Sequence, residues 1–134
     1  MPLVFQSELV EAVFPTLSLL VAEMGSWEIL YASGPLEEMF GYYVKGELTG
    51  CNVKVLIPEV KHHAHDTHLE GYYHNPKRRP MGAGKTLEGQ HRDGHVFPVV
   101  IDLTPIMIPG RDGMRKRCVV AQVIDMTGRA EHKA

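Results

Sequence analysis

The chain has 134 residues with 14 basic and 16 acidic side chains, a formal net charge of −2. That size suits one domain, and the balance leaves no electrostatic footprint for nucleic acid. Cys51 and Cys118 are the two cysteines and belong to no C-x-x-C pattern, so a disulfide framework is excluded and a reducing compartment fits. No run of about 18 apolar residues occurs, and the start lacks the basic segment and cleavage site of a signal peptide. A cytoplasmic protein with no membrane and no nucleic-acid partner is expected.

Residues 4–14 place Phe5, Leu9 and Val13 at helical spacing, with Val10 and Phe14 beside them. This predicts an amphipathic helix within residues 1–15, packed either on its own domain or on a second copy. Residues 16–23 and 27–32 read as strands joined by a turn at Met24, Gly25 and Ser26. In the following SGPLEEMFGYY, Ser33 or Gly34 suits a cap, Pro35 the first helical position and Gly41 the left-handed residue past the end. Leu36, Met39 and Phe40 form that helix's apolar face. A helical turn at 45–48 and a short apolar piece at 53–57 lead to Pro58.

Between Pro58 and Pro76 lies PEVKHHAHDTHLEGYYHNP, which holds five of the chain's eight histidines: His62, His63, His65, His68 and His74. A helix of about four turns is predicted, ended by the residue before Pro76. From there the pattern is β. Strands at 86–91 and 95–107 flank Asp93-Gly94, a hairpin-turn dipeptide. In the second of these, Phe97, Val99, Ile101 and Leu103 alternate with polar or outward residues and should face the core. A turn at 109–113 precedes a last strand at 117–125, and residues 128–134 form a polar exit from a domain spanning 16–127. The order β-β, short helices, β-β-β predicts an α+β fold, one antiparallel sheet with helices packed on one face.

The chemistry-bearing residues are few. The stretch from Met81 to Thr86 looks superficially like a phosphate loop but lacks the G-x-x-x-x-G-K spacing. No nucleophile motif appears, and Asp66 diverges from His65 on a helix. An enzyme is therefore not expected. The i, i+3 pairs His62/His65 and His65/His68 could chelate a metal, but no further ligands accompany them. His91 and His95 flank the hairpin turn, and nothing in the sequence brings them to the helix.

Several pieces, in order, resemble a known family. They are WEILYA with PLEEMFGY, GELTGCNVKVLIP, H-x-H-D-x-x-L-x-x-Y, RRPMGAGKTLEGQHRDGHVFPVVIDLTP and the closing VIDMTGRAE. Together they are similar to a PAS sensory domain of bacterial signalling proteins over roughly residues 16–130. The resemblance implies the PAS fold, a five-stranded antiparallel sheet with short helices cupping one face. It implies a sensory or dimerisation module that holds haem, a flavin, a small metabolite or nothing.

The helix segment is most similar to that of haem-binding PAS domains, the FixL oxygen sensors among them. That likeness implies His65 as the iron ligand, Leu69 and Tyr72 on the same helical face, and Ile101 and Leu103 over the opposite haem face. It implies a diatomic gas or redox state as the signal. Lys85 stands where oxygen sensors carry an arginine. Ala83 stands where related sensors carry a methionine ligand, with Met81 two residues earlier. Compared with the G-x-N-C-R-F-L-Q of light-sensing flavin domains, Cys51 falls two places early and Val53 takes the reactive position. The alternative is a cofactor-free or small-ligand dimerisation module. The resemblance further implies a homodimer through the segment from Pro2 to Phe14, and an output domain such as a histidine kinase or cyclase in a larger protein.

Overall fold

Strand β1 (Leu19–Glu23) turns back into β2 (Ile29–Ala32), and the two pair antiparallel. In the tight turn between them, Gly25 has φ 100° and Trp27 has φ 57°. These values come from the computed structural model, which describes residues 16–81, 86–110 and 112–129. The helix expected from Pro2 to Phe14, the residues Ala83 and Lys85, and most of the polar exit lie outside the described residues.

Helix α1 (Gly34–Met39) follows, then 3-10 turns at Val53–Leu56 and Glu59–Lys61, helix α2 (His62–His74), and strands β3 (Leu87–Gln90), β4 (Val96–Pro109) and β5 (Arg115–Asp125). The sheet order is β2-β1-β5-β4-β3, antiparallel throughout. The expected five-stranded antiparallel sheet with short helices is therefore present. The boundaries differ from those expected. β1 begins at Leu19 rather than residue 16, while β4 and β5 run on as one unbroken ladder to Pro109 opposite Arg115. Charged and proline residues at those ends carry no apolar alternation, so only the backbone pairing reveals them.

The helix-side core gathers Leu20, Ala22, Ile29, Leu36, Phe40, Leu48, Phe97, Val99, Val119 and Ala121. A second cluster on the other face joins Leu19, Val21, Tyr31, Ile108 and Cys118. β1 is thus apolar on both faces, unlike the one-sided strand usual in an antiparallel sheet.

Two side chains hold the helical region in place. Ser33 caps α1: its Oγ accepts from Leu36 N–H (3.4 Å) and Leu19 N–H (3.0 Å), and donates to Leu17 O (2.7 Å). Glu37, only 2% exposed, accepts from Gly46 N–H and Leu48 N–H at 3.0 Å each, one on each carboxylate oxygen. Its carboxylate therefore does for the loop after α1 what a strand partner would do. From there the chain pairs with the edge of the first hairpin, Gly50 N–H and Cys51 O meeting Ile29 at 2.8 Å. Asn52 Oδ1 then caps the first 3-10 turn through Lys54 N–H (2.9 Å).

Candidate functional site

Pro58 opens a 3-10 turn, so α2 starts at His62; it ends at His74, with Asn75 as its cap before Pro76. None of its residues is fully buried. His62, His65, Leu69 and Tyr72 are half-buried, while His63, His68 and His74 are exposed. The spacing of three, four and three residues makes these four one stripe facing the domain. His65, Leu69 and Tyr72 were expected on that face. His62 joins them there, half-buried rather than on a solvated face. Its Nε2 donates towards Lys54 O (3.1 Å) and Ile57 O (2.9 Å), fastening the start of α2 to the preceding turn. Those bonds place the proton on Nε2 and leave Nδ1 as the ring's unprotonated nitrogen.

His65 is different. Its Nδ1 is sealed from water and has no hydrogen-bond partner, and the same holds for the Tyr72 hydroxyl two stripe positions further on. Leaving such a group unpaired costs about 1–3 kcal/mol. Burial holds the His65 imidazole below its ordinary pKa, opposed by the Asp66 charge and reinforced by His68, His62 and Lys54. Burial thus favours the neutral ring, the form in which imidazole ligates a metal. Burial likewise pushes the Tyr72 phenol up, Arg79 opposing.

Tyr72, Ile101 and Leu103 all pack against the helix-side core. Ile101 and Leu103 remain half-buried, unlike Phe97 and Val99 on the same face of β4. The chain leaving α2 returns to this wall. Arg79 pairs with Leu103 through both backbone bonds, each 2.8 Å. Arg78 reaches Asp102 at 2.6 Å, and Met81 N–H donates to the same carboxylate at 3.2 Å. Met81 is half-buried there. Lys54–Asp66 (3.0 Å) and Lys61–Glu88 (3.8 Å) tie the start of α2 to its neighbours. Both are exposed and each contributes at most about 1 kcal/mol.

Three features were not foreseen. One is the Glu37 strut. Another is a groove of about 390 Å³ between the first turn and the outer flank of α2, lined by Trp27, Asp66, Leu69, Glu70 and Tyr73. The Arg117 guanidinium covers the Tyr73 ring at 4.3 Å and donates to the Tyr73 carbonyl. The third concerns metal donors. Among the described residues, the group of three or more close donors is His91, Asp93 and His95, at the hairpin rather than on the helix. Cys51 and Val53 are both half-buried and pack on the helix-side core, with Cys51 Sγ 3.7 Å from Glu47 O.

No family model matches the chain. A Dictyostelium discoideum protein named as a probable serine/threonine-protein kinase is 34% identical over 71 residues, 53% of this chain and 5% of that protein. Sensor protein FixL of Bradyrhizobium diazoefficiens is 31% identical over 67 residues, 50% of this chain and 13% of that protein. The chain thus spans a small fraction of the curated relatives it matches. Among solved structures, the LOV protein of Rhodobacter sphaeroides matches with a TM-score of 0.65 and 15% identity, over 96% of this chain and 72% of that one. The PAS domain of a Colwellia psychrerythraea protein matches with a TM-score of 0.64 and 19% identity, over 84% and 87%. No helix among the described residues is long and apolar enough to cross a membrane.

Proposed function

From the PAS fold of this chain, we propose that it is the sensory input of a larger signalling protein, holding a ligand between α2 and the β4 wall. The observation that carries this reading is the half-buried His65, whose Nδ1 is sealed and unpaired on the inward stripe of α2. The donor set fits haem. One half-buried imidazole would face the guest, with Leu69 and Tyr72 on the same stripe of α2, and Ile101 and Leu103, half-buried on β4, would stand across from it. Bound there, haem would supply an iron with an open face for a small diatomic gas. His65 would hold the iron, and the apolar residues would exclude water. Met81, whose N–H meets Asp102, would border the site, and Lys85 lies outside the described residues.

A second reading, flavin, draws support from the LOV structures among the fold neighbours. Val53 stands at the adduct position of the LOV motif, so this flavin would be a non-photochemical one. In either reading the chain is a regulator and not a catalyst. A guest biases output only by binding two states unequally. The flanking segments, from Pro2 to Phe14 and from Met126 onward, would carry that bias to a second copy and to an output domain such as a kinase.

The absorbance spectrum decides. Purified or haemin-reconstituted protein should show a Soret band that His65→Ala abolishes or shifts, while His68→Ala leaves it intact. A flavin-type spectrum with visible fluorescence selects the second reading. Identical haem spectra from wild type and His65→Ala overturn the ligand assignment.

A further inference from the structure

The β3–β4 hairpin ends its ladder at Gln90 opposite Val96, leaving a five-residue loop from His91 to His95. His91 N–H to His95 O (2.9 Å) and Gly94 N–H to His91 O (2.8 Å) close it, with Gly94 at φ 101°. This closure sets His91 and His95 opposite one another. Their rings stack with centroids 4.5 Å apart and planes 21° apart. Asp93 lies between them, its Oδ1 3.0 Å from His91 Nδ1 and 2.7 Å from His95 Nδ1. One donor atom from each residue falls within 4.8 Å of the other two.

The cluster is held rather than loose. The His91 side chain is only 17% exposed. Its ring lies over Gly41, where φ is 87° and a Cβ would stand 2.6 Å from Nε2, so only glycine admits the ring. Arg92 clamps the same place. Its N–H donates to Phe40 O (2.8 Å), its guanidinium meets Glu47 at 2.5 Å and lies over the Tyr42 ring at 5.0 Å. His95 packs on Phe97 with centroids 5.8 Å apart. The donors therefore stand on a frame fixed to the end of α1, which keeps them near one another without an ion.

We propose that His91, Asp93 and His95 form a binding site for a divalent first-row transition ion. Two imidazoles and one carboxylate suit zinc and its neighbours and not magnesium or calcium, which take oxygen donors. Around a tetrahedral ion with bonds near 2.0–2.1 Å, neighbouring donors stand about 3.3 Å apart. The Asp93 Oδ1 separations of 3.0 and 2.7 Å from the two rings lie within a few tenths of an ångström of that, while the rings, now stacked, would have to turn out of parallel for both Nδ1 lone pairs to meet one ion. The ion would take the His91 Nδ1 lone pair that now accepts from Asp93 N–H at 3.1 Å, and any proton between His95 and the carboxylate would be released on binding. The positions left over face solvent and take water. The ion would hold the hairpin tip closed, using none of the residues on α2, so the site stands independently of the ligand reading above.

The test uses the tag-free full chain, titrated with zinc against a chromophoric chelator and followed by amide NMR. One equivalent should bind, shifting amides at Gly41 and in the His91–His95 loop. The exposed positions allow the variants Asp93→Asn and His95→Gln without loss of fold. Each should weaken binding by about tenfold or more. His63→Gln/His68→Gln should not. Equal affinity in wild type and His95→Gln, or shifts confined to α2, overturns the site.

Discussion

Replacing Glu37 separates two opposite effects of a buried carboxylate. Removing a buried charge in favour of an apolar group is often neutral or stabilising when its partner charge goes too. Here the partners are the backbone N–H groups of Gly46 and Leu48, each 3.0 Å away, and no side-chain change removes them. Hydrogen bonds to a charged acceptor contribute about 1.5–3 kcal/mol each. Glu37→Leu keeps the volume and strands both donors, so a loss of about 3–5 kcal/mol is expected. Glu37→Gln keeps one acceptor and turns its amide NH₂ on the other donor, so roughly half that loss is expected. Against a total stability of about 5–15 kcal/mol, the leucine variant should be marginal. Urea unfolding followed by Trp27 fluorescence measures both. Leu more damaging than Gln is the expected order. If Glu37→Leu melts within about 1 kcal/mol of wild type, the carboxylate does not hold this loop.

Ser33→Ala should destabilise by about 2–3 kcal/mol, since it deletes the α1 cap and orphans Leu19 N–H in the interior; chemical denaturation checks this, and a loss below about 0.5 kcal/mol contradicts the three-bond account. Cys118 is fully buried, and burial, with the Glu23 charge adding and Lys116 opposing, raises its thiol above the ordinary 9.0. The folded chain keeps that proton after the unfolded chain loses it. Its contribution to stability is therefore complete below pH 9.0 and declines as pH rises past that value. Alkylation with peptide mapping at mildly alkaline pH should mark Cys51 in the native protein and Cys118 only after unfolding; equal labelling speaks against the burial.

The legible parts of this fold were those written in local alternation and punctuation. Ser33, Pro35 and Gly41 announce α1, Asp93-Gly94 announces the hairpin, and the alternation from Phe97 to Leu103 names the inward face of β4. The pairing of β1 with β5 was not legible, because it joins residues 95 to 103 positions apart. Glu37 was invisible for a related reason. Within LEEM it reads as a solvated face, and nothing nearby says that the loop around Gly46 and Leu48 folds back over it. His62 was available in principle, since the same spacing that turns His65 inward includes the residue three before it. Family register favoured His65 alone. At the hairpin, His91 and His95 were seen as flanks of a turn. That a five-residue loop stacks their rings around Asp93 follows from the ladder register, which alternation alone does not set.

Leu103 has an unusual set of obligations. Its side chain lines the proposed ligand wall and stands opposite Ala121 of the central strand β5. Both its backbone groups are committed to Arg79, on the chain leaving α2. The wall and the far end of the histidine helix are therefore one lever with Leu103 as its pivot. A guest that pushes this side chain by a fraction of an ångström must either strain two backbone hydrogen bonds or carry the helix exit along.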